Sequence, residues 1–141
     1  MPCNYRIERK QRLVISTAWG VLTGEEILEH QNRLVSDSCF NSDFYQLLEL
    51  VDVTNFEIDF DTMDTLSEQQ IFSPRSRRAF IAKSPLAFGL SRMFASLREL
   101  RGGEEQIRIF DNRDEALGWL LGTLGGSLKN GSREEVQRRL S

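Results

Sequence analysis

Glu57, Asp59, Asp61 and Asp64 are the densest group of potential metal ligands or acid–base residues in this sequence. A calcium loop of the EF-hand type needs Gly at its sixth position and Glu at its twelfth. Counted from Asp59, those places hold Asp64 and Gln70, so the template fails. Carboxylates ahead of a helical stretch have a simpler use, accepting hydrogen bonds from the first amides and complementing the helix dipole. An enzyme with an acidic site at Asp52, Asp59 and Asp61 stays open as an alternative, although nothing singles out a raised-pKa acid among them. His30 is the only histidine, and no nucleophile–base pair forms around it in the sequence, so its expected role is structural or superficial. Cys3 and Cys39 have no metal-like spacing, and two cysteines are few for a disulfide scaffold, which implies a reducing, cytoplasmic setting. The expectation is a chain with no catalytic residue, no phosphorylated residue, no metal and no cofactor.

Binding is the better-supported chemistry. Arg75, Arg77, Arg78 and Lys83 crowd one strand-like segment, and Ser84-Pro85 follows as a helix start. Parallel α/β sheets take ligands at the carboxyl ends of their strands, where helix amides can hold anions. Ser84 is therefore a candidate for contact with a head group. The arginines lie mainly at the strand's other end, and a solvated basic edge is the plainer reading of them. In the helical stretch that follows, Leu86, Leu90, Met93, Leu97 and Leu100 recur at i, i+4, i+7, i+11 and i+14, a stripe able to cover a sheet face. Phe88 falls well off that stripe and Phe94 at its margin, while Trp119 lies opposite Ala116 and Leu120 in the last helix. Phe88, Phe94, Trp119 and Ser84 are accordingly expected to line an apolar groove near the third and last helices. Its occupant would be a lipid or other apolar small molecule, or else a protein partner or a second copy of the chain.

The elements that must position these residues are legible. Tyr5–Lys10 and Leu13–Trp19 read as a β-hairpin. Thr23 and Glu26 form a capping box flanked by the Leu22/Ile27 staple, opening a helix with Ile27, Leu28, Leu34 and Val35 inward. Leu47–Val53 and Arg78–Ala82 are short apolar runs of the kind found in strands covered on both faces. Between them a helix is expected over Thr62–Phe72, with Met63, Leu66, Gln70 and Ile71 on one side. Ser84-Pro85 starts the third helix as N-cap and first residue, and Gly102 ends it. Gln106–Phe110 is the last strand, and Asn112 with Glu115 opens the last helix. The fold class is thus α/β in the order β-β-α-β-α-β-α-β-α, with a mixed five-stranded sheet, an opening antiparallel hairpin, later parallel strands and helices on the faces. Leu47–Val53 and Arg78–Ala82 should be interior and Tyr5–Lys10 an edge.

The 141 residues fit one domain, and 40% hydrophobic with 28% charged residues suits a soluble fold with a core. A net charge of −3 argues against a nucleic-acid partner, and no apolar run suggests a transmembrane segment. Residues 1–121 carry the domain. Residues 122–141, interrupted by Gly122, Gly125, Gly126 and Gly131, read as a loosely attached tail with a possible short helix capped by Ser132 and Glu135.

In order and spacing, Gly20–Ile27 (GVLTGEEI), Leu50–Thr54 (LVDVT), Arg77–Ala82 with Phe88–Phe94, and Ile107–Leu120 (IRIFDNRDEALGWL) resemble the SpoIIAA-like branch of the STAS superfamily, whose fold is compared with CRAL-TRIO lipid-transfer domains. The resemblance implies a small bacterial module that binds lipids or other apolar ligands, or acts through protein–protein regulation. Its namesakes are phosphorylated on serine in an Asp-Ser-Ser-Gly turn after the central strand. This chain departs from them, with neither Ser nor Gly from Asn55 to Leu66. Thr62 and Thr65 stand among carboxylates that would repel a phosphate, so the phospho-switch is expected to be absent.

Overall fold

Extended, β-branched and aromatic residues open the chain as an antiparallel hairpin, β1 (Cys3–Glu8) and β2 (Leu13–Thr23). Arg12, at φ 55°, completes the turn in the left-handed region that non-glycine residues seldom adopt. There follow α1 (Gly24–Val35), β3 (Tyr45–Glu57), α2 (Phe60–Glu68), β4 (Arg77–Ile81), α3 (Pro85–Leu100), β5 (Gln106–Phe110) and α4 (Arg113–Leu120). The structure, a computed structural model, describes residues 2–121; the tail expected over residues 122–141 lies outside the described residues. No helix among the described residues is long and apolar enough to cross a membrane.

The five strands lie in the order β1-β2-β3-β4-β5, with β1 antiparallel to β2 and every other neighbouring pair parallel. This is the mixed α/β sheet expected, with the first strand at an edge and β3 and β4 interior. Alternation along β4 assigns the two faces. Ala79 and Ile81 pack with Leu13, Ile15 and Leu47 against Ala116, Leu117 and Leu120 of α4, forming an apolar core. Arg78 and Phe80 point the other way, and the Phe80 ring meets Phe94 of α3 at 5.9 Å. Helices α1 and α2 also cover that second face. There Val14, Leu34, Phe44 and Phe72 form one cluster, and Cys3, Ala18, Leu22 and Leu50 another.

Local caps match the sequence signals. The Thr23 hydroxyl accepts from the Glu26 amide at 3.2 Å, and the Glu26 carboxylate accepts from the Thr23 amide at 3.1 Å. Ser84 accepts from the Ala87 amide, with Pro85 in the first turn, and Asn112 accepts from the Glu115 amide. Asp59 caps α2 through the Thr62 amide at 2.7 Å. Gly24 is needed at the start of α1 because a Cβ there would collide with the Thr62 side chain of α2.

Several expectations are corrected. β2 and β3 continue past the covered sheet, pairing Trp19–Thr23 with Asp52–Glu57 as a ribbon on which Val21 and Val51 are exposed. α2 stops at Glu68, so Gln70 and Ile71 follow it rather than belong to it. Val35 of α1 is exposed, and the helix buries His30, Gln31 and Leu34. The largest departure is α3. Leu86, Met93 and Leu100, expected in the core, are 52%, 44% and 80% exposed, whereas Ala87, Ser91 and Arg98 are buried. The helix turns inward its smaller, more polar face, because Arg98 has a buried partner there.

Side-chain truncation distinguishes the two helix faces. Leu100→Ala should change stability by less than about 0.5 kcal/mol, whereas Leu117→Ala should cost about 2–5 kcal/mol. Similar losses for the two in urea unfolding would overturn this assignment of faces.

Candidate functional site

A line of hydrogen-bonded polar side chains runs across the sheet face beneath α1, α2 and α3. Arg78 of β4 donates from Nε to Gln46 Oε1 at 3.0 Å, Gln46 Nε2 donates to Ser16 Oγ at 3.2 Å, and Ser16 Oγ lies 3.0 Å from His30 Nε2. Part of the chain has a fixed direction. Arginine can only donate, so the Gln46 oxygen faces it and the amide nitrogen donates to Ser16. The Ser16 hydroxyl, with one hydrogen and two lone pairs, pairs with His30 Nε2 in either tautomer of the ring. Burial, helped by the charges of Arg33 and Arg78, pushes the His30 imidazole down to about 4. Tyr5 packs edge-on against the ring at 5.4 Å.

At the other end Arg78 donates from Nη1 to Glu105 Oε2 at 3.2 Å. Glu105 also receives Arg98 through Nε and Nη2 at 3.0 and 2.9 Å, and Arg98 Nη1 reaches the Ser67 carbonyl at 2.8 Å. Burial alone would raise the Glu105 carboxyl, but the Arg98 hydrogen bond and the charges of Arg78 and Arg98 outweigh it and hold the carboxyl below its ordinary value. Burial pushes the Arg78 guanidinium down to about 10, against the attraction of Glu105. It remains a cation at neutral pH, 4.6 Å from the Phe72 ring centroid and 5.3 Å from that of Phe94. A Cβ on Gly103 would strike the Arg98 guanidinium and carbonyl, so glycine permits this close approach.

Above the polar line lies a cavity of about 90 Å³, several times the space one water needs. Its walls are mostly apolar, with Leu48 and Phe80 from the sheet, Met63 and Leu66 from α2, and Leu90 and Phe94 from α3. Cys3, His30, Gln31, Gln46, Arg78 and Ser91 supply its polar atoms. Burial raises the Cys3 thiol to about 11, so it is neutral. An apolar hollow with a few convergent polar groups is the usual form of a small-molecule site.

The residues singled out in the sequence are placed apart. Phe94 lines this cavity. Phe88, 43% exposed, and Ser84 line a shallow cleft beside Arg108 and Phe110 of the edge strand β5. Trp119 is half-buried on the α4 face, 5.8 Å from the Phe110 ring, and Arg77 gives its carbonyl a hydrogen bond at 2.9 Å. Among the described residues Phe88 and Trp119 lie apart, because α3 and α4 cover opposite faces of the sheet. The basic cluster also divides. Arg75 is exposed and pairs with Asp43 at 3.2 Å, and Lys83 is exposed, but Arg78 is buried in the polar line rather than lying on a solvated edge. Asp59 is a helix cap, and Asp64 pairs with Arg101. Asp52 borders a separate polar cleft with Glu49, Lys83 and Asp111.

Spacing alone did not expose Gln46, Arg78, Ser91, Arg98 or Glu105. The available signal was the row Ala87, Ser91, Phe94, Arg98 on α3, at i, i+4, i+7 and i+11, which is as helical as the leucine row but less apolar.

The neutral state of His30 carries a pH signature. Its pKa in the folded chain, about 4, lies below the ordinary 6.5, so the unfolded chain takes up the proton first. The stabilisation is complete above about pH 6.5 and is lost as pH falls toward 4, amounting to at most about 3 kcal/mol. In urea unfolding at pH 7 and pH 5, the wild type should lose more stability than His30→Gln. An identical pH dependence for the two would show that His30 does not titrate in this way.

Neither a protein-family model nor a curated protein matches the chain. Among solved structures it is similar to an uncharacterised protein from the DUF3478 family with a SpoIIAA-like fold, from Shewanella loihica. The two are 20% identical, the match covers 84% of this chain and 93% of that one, and the TM-score is 0.56. That likeness, together with the mixed sheet and its four helices, shows that the chain has a SpoIIAA-like α/β fold.

Proposed function

We propose that the chain is a non-enzymatic binding module that holds an apolar small molecule in the cavity between the sheet and helices α1, α2 and α3. The observation that carries this reading is a mostly apolar hollow that also holds a few polar side chains. Filling such a hollow with hydrocarbon removes apolar surface from water on both sides, while the polar side chains orient the ligand. The lipid-type ligand expected from the sequence is retained in this reading, but its site moves from the α3–α4 groove to this cavity, with Phe94 as the shared residue. Medium-chain probes test it. Octanoate or 1-octanol, added to delipidated protein, should shift the NMR methyl signals of Leu48, Met63 and Leu66. Leu90→Trp, which places bulk in the hollow, should weaken binding at least about tenfold, as expected when a ligand loses its space. Absence of shifts with both probes would reject the reading.

A second reading rests on a different surface. Leu86, Met93 and Leu100 form one exposed row along α3, and a row of exposed apolar side chains marks a contact with a protein partner or a second copy. Sedimentation velocity over a hundredfold concentration range should then show self-association that Met93→Glu abolishes. A monomer throughout would remove self-association from consideration.

A further inference from the structure

The cavity has a charge asymmetry with a consequence for its ligand. Among the described residues, Arg78 is the only one in the lining that carries a formal charge at neutral pH, since the Cys3 thiol and the His30 ring are neutral and the other polar lining groups are amides or hydroxyls. The network behind it does not balance that charge. Two guanidiniums, Arg78 and Arg98, share the single carboxylate of Glu105, and the three side chains are 6%, 3% and 1% exposed. One positive charge is thus left over in the interior. No carboxylate lines the cavity among the described residues. Arg33 adds to the positive potential at His30, and the Glu26 and Asp37 carboxylates, held by the Thr23 and Tyr5 hydroxyls, lie outside the lining.

The guanidinium also has donors to spare. Arg78 has five N–H groups, and its hydrogen bonds to Gln46 and Glu105 use Nε and Nη1. Nη2 has no hydrogen-bond partner among the described residues. A buried, incompletely paired guanidinium facing an apolar hollow is costly unless an anion completes it.

We propose that the ligand of this cavity is an amphiphile with a single carboxylate head, and that Arg78 is the residue that receives it. One surplus charge matches one negative charge, and the planar guanidinium fork fits a carboxylate. Gln46, bonded to Arg78 and in the same lining, marks where the head sits, leaving the chain to the apolar residues such as Leu48, Met63 and Phe94. This deepens the binding reading above and rests on it.

Matched probes separate the two. Titration calorimetry of the full chain at pH 8 would compare octanoate, 1-octanol and octyl phosphate. Octanoate should bind at least about tenfold more tightly than 1-octanol, the ratio a charge-assisted hydrogen bond supplies. Arg78→Lys should keep part of that preference and Arg78→Gln should bring it within about twofold. Because Arg78→Gln could fail to fold, the 15N-labelled wild type provides a second arm: octanoate should shift the Arg78 Nε–H NMR signal and 1-octanol should leave it in place. Equal binding of octanoate and 1-octanol, or an Arg78 Nε–H signal that octanoate leaves unmoved, overturns the assignment to Arg78 while leaving the cavity reading intact. Tighter binding of octyl phosphate than of octanoate overturns the carboxylate head. Binding of none of the three overturns the cavity reading itself, and this inference with it.

Discussion

Between the sheet and α3, the carboxylate of Glu105 lies 2.9–3.2 Å from the nearest nitrogens of Arg98 and Arg78, with all three side chains almost wholly removed from solvent. Desolvating three ionised groups costs several kcal/mol for each, and only close geometry with further hydrogen bonds offsets that cost. The further bonds run to Gln46 and to the Ser67 carbonyl. They join β3, β4, α2, α3 and the loop before β5, so the positions of these segments are mutually constrained. Gly103 belongs to the same constraint, since any side chain there would displace Arg98.

This arrangement makes the two faces of the sheet unlike. Under α4, Ala79, Ile81 and Leu47 meet Ala116, Leu117 and Leu120 without a polar atom between their side chains. Such a face depends on area and shape, and it tolerates little change in volume. On the other face, the sheet presents Ser16, Gln46 and Arg78 in successive strands, and three helices bridge over them. Helices that must accommodate a polar line cannot close on it as tightly as α4 closes on leucine and isoleucine. The cavity lies on that face, where side-chain packing is interrupted.

The physical character of the site follows from this construction. Arg78 and Gln46 sit on strands and are joined through Ser16 to His30 of α1, so these polar groups are preorganised, while the apolar wall comes from the sheet and from α2 and α3. Burial and the charges of Arg33 and Arg78 keep the His30 ring neutral, which removes it as a source of charge near neutral pH. Arg78 alone therefore sets the electrostatic sign of the hollow.

Local signals in the sequence determined the element order, the hairpin, the caps at Thr23, Ser84 and Asn112, and the placement of the first strand at an edge. These depend on contacts within a few residues or on period-two patterning, which a single chain displays directly. The burial of α3 was not decided that way. Its leucine row is the more apolar one, and hydropathy alone turns it inward. The actual orientation depends on Arg98 meeting Glu105 beyond the helix end and Arg78 from another strand, and such long-range pairing leaves no periodicity to read. For the same reason the candidate site was only partly visible. Phe94 was named, but Arg78 was read as part of a solvated basic edge, and Gln46 and Ser91 looked like ordinary strand and helix residues until the tertiary structure brought them to one cavity. Phe88 and Trp119 were assigned to a shared groove from their helical wheels, and only the tertiary structure could place their helices on opposite sides of the sheet.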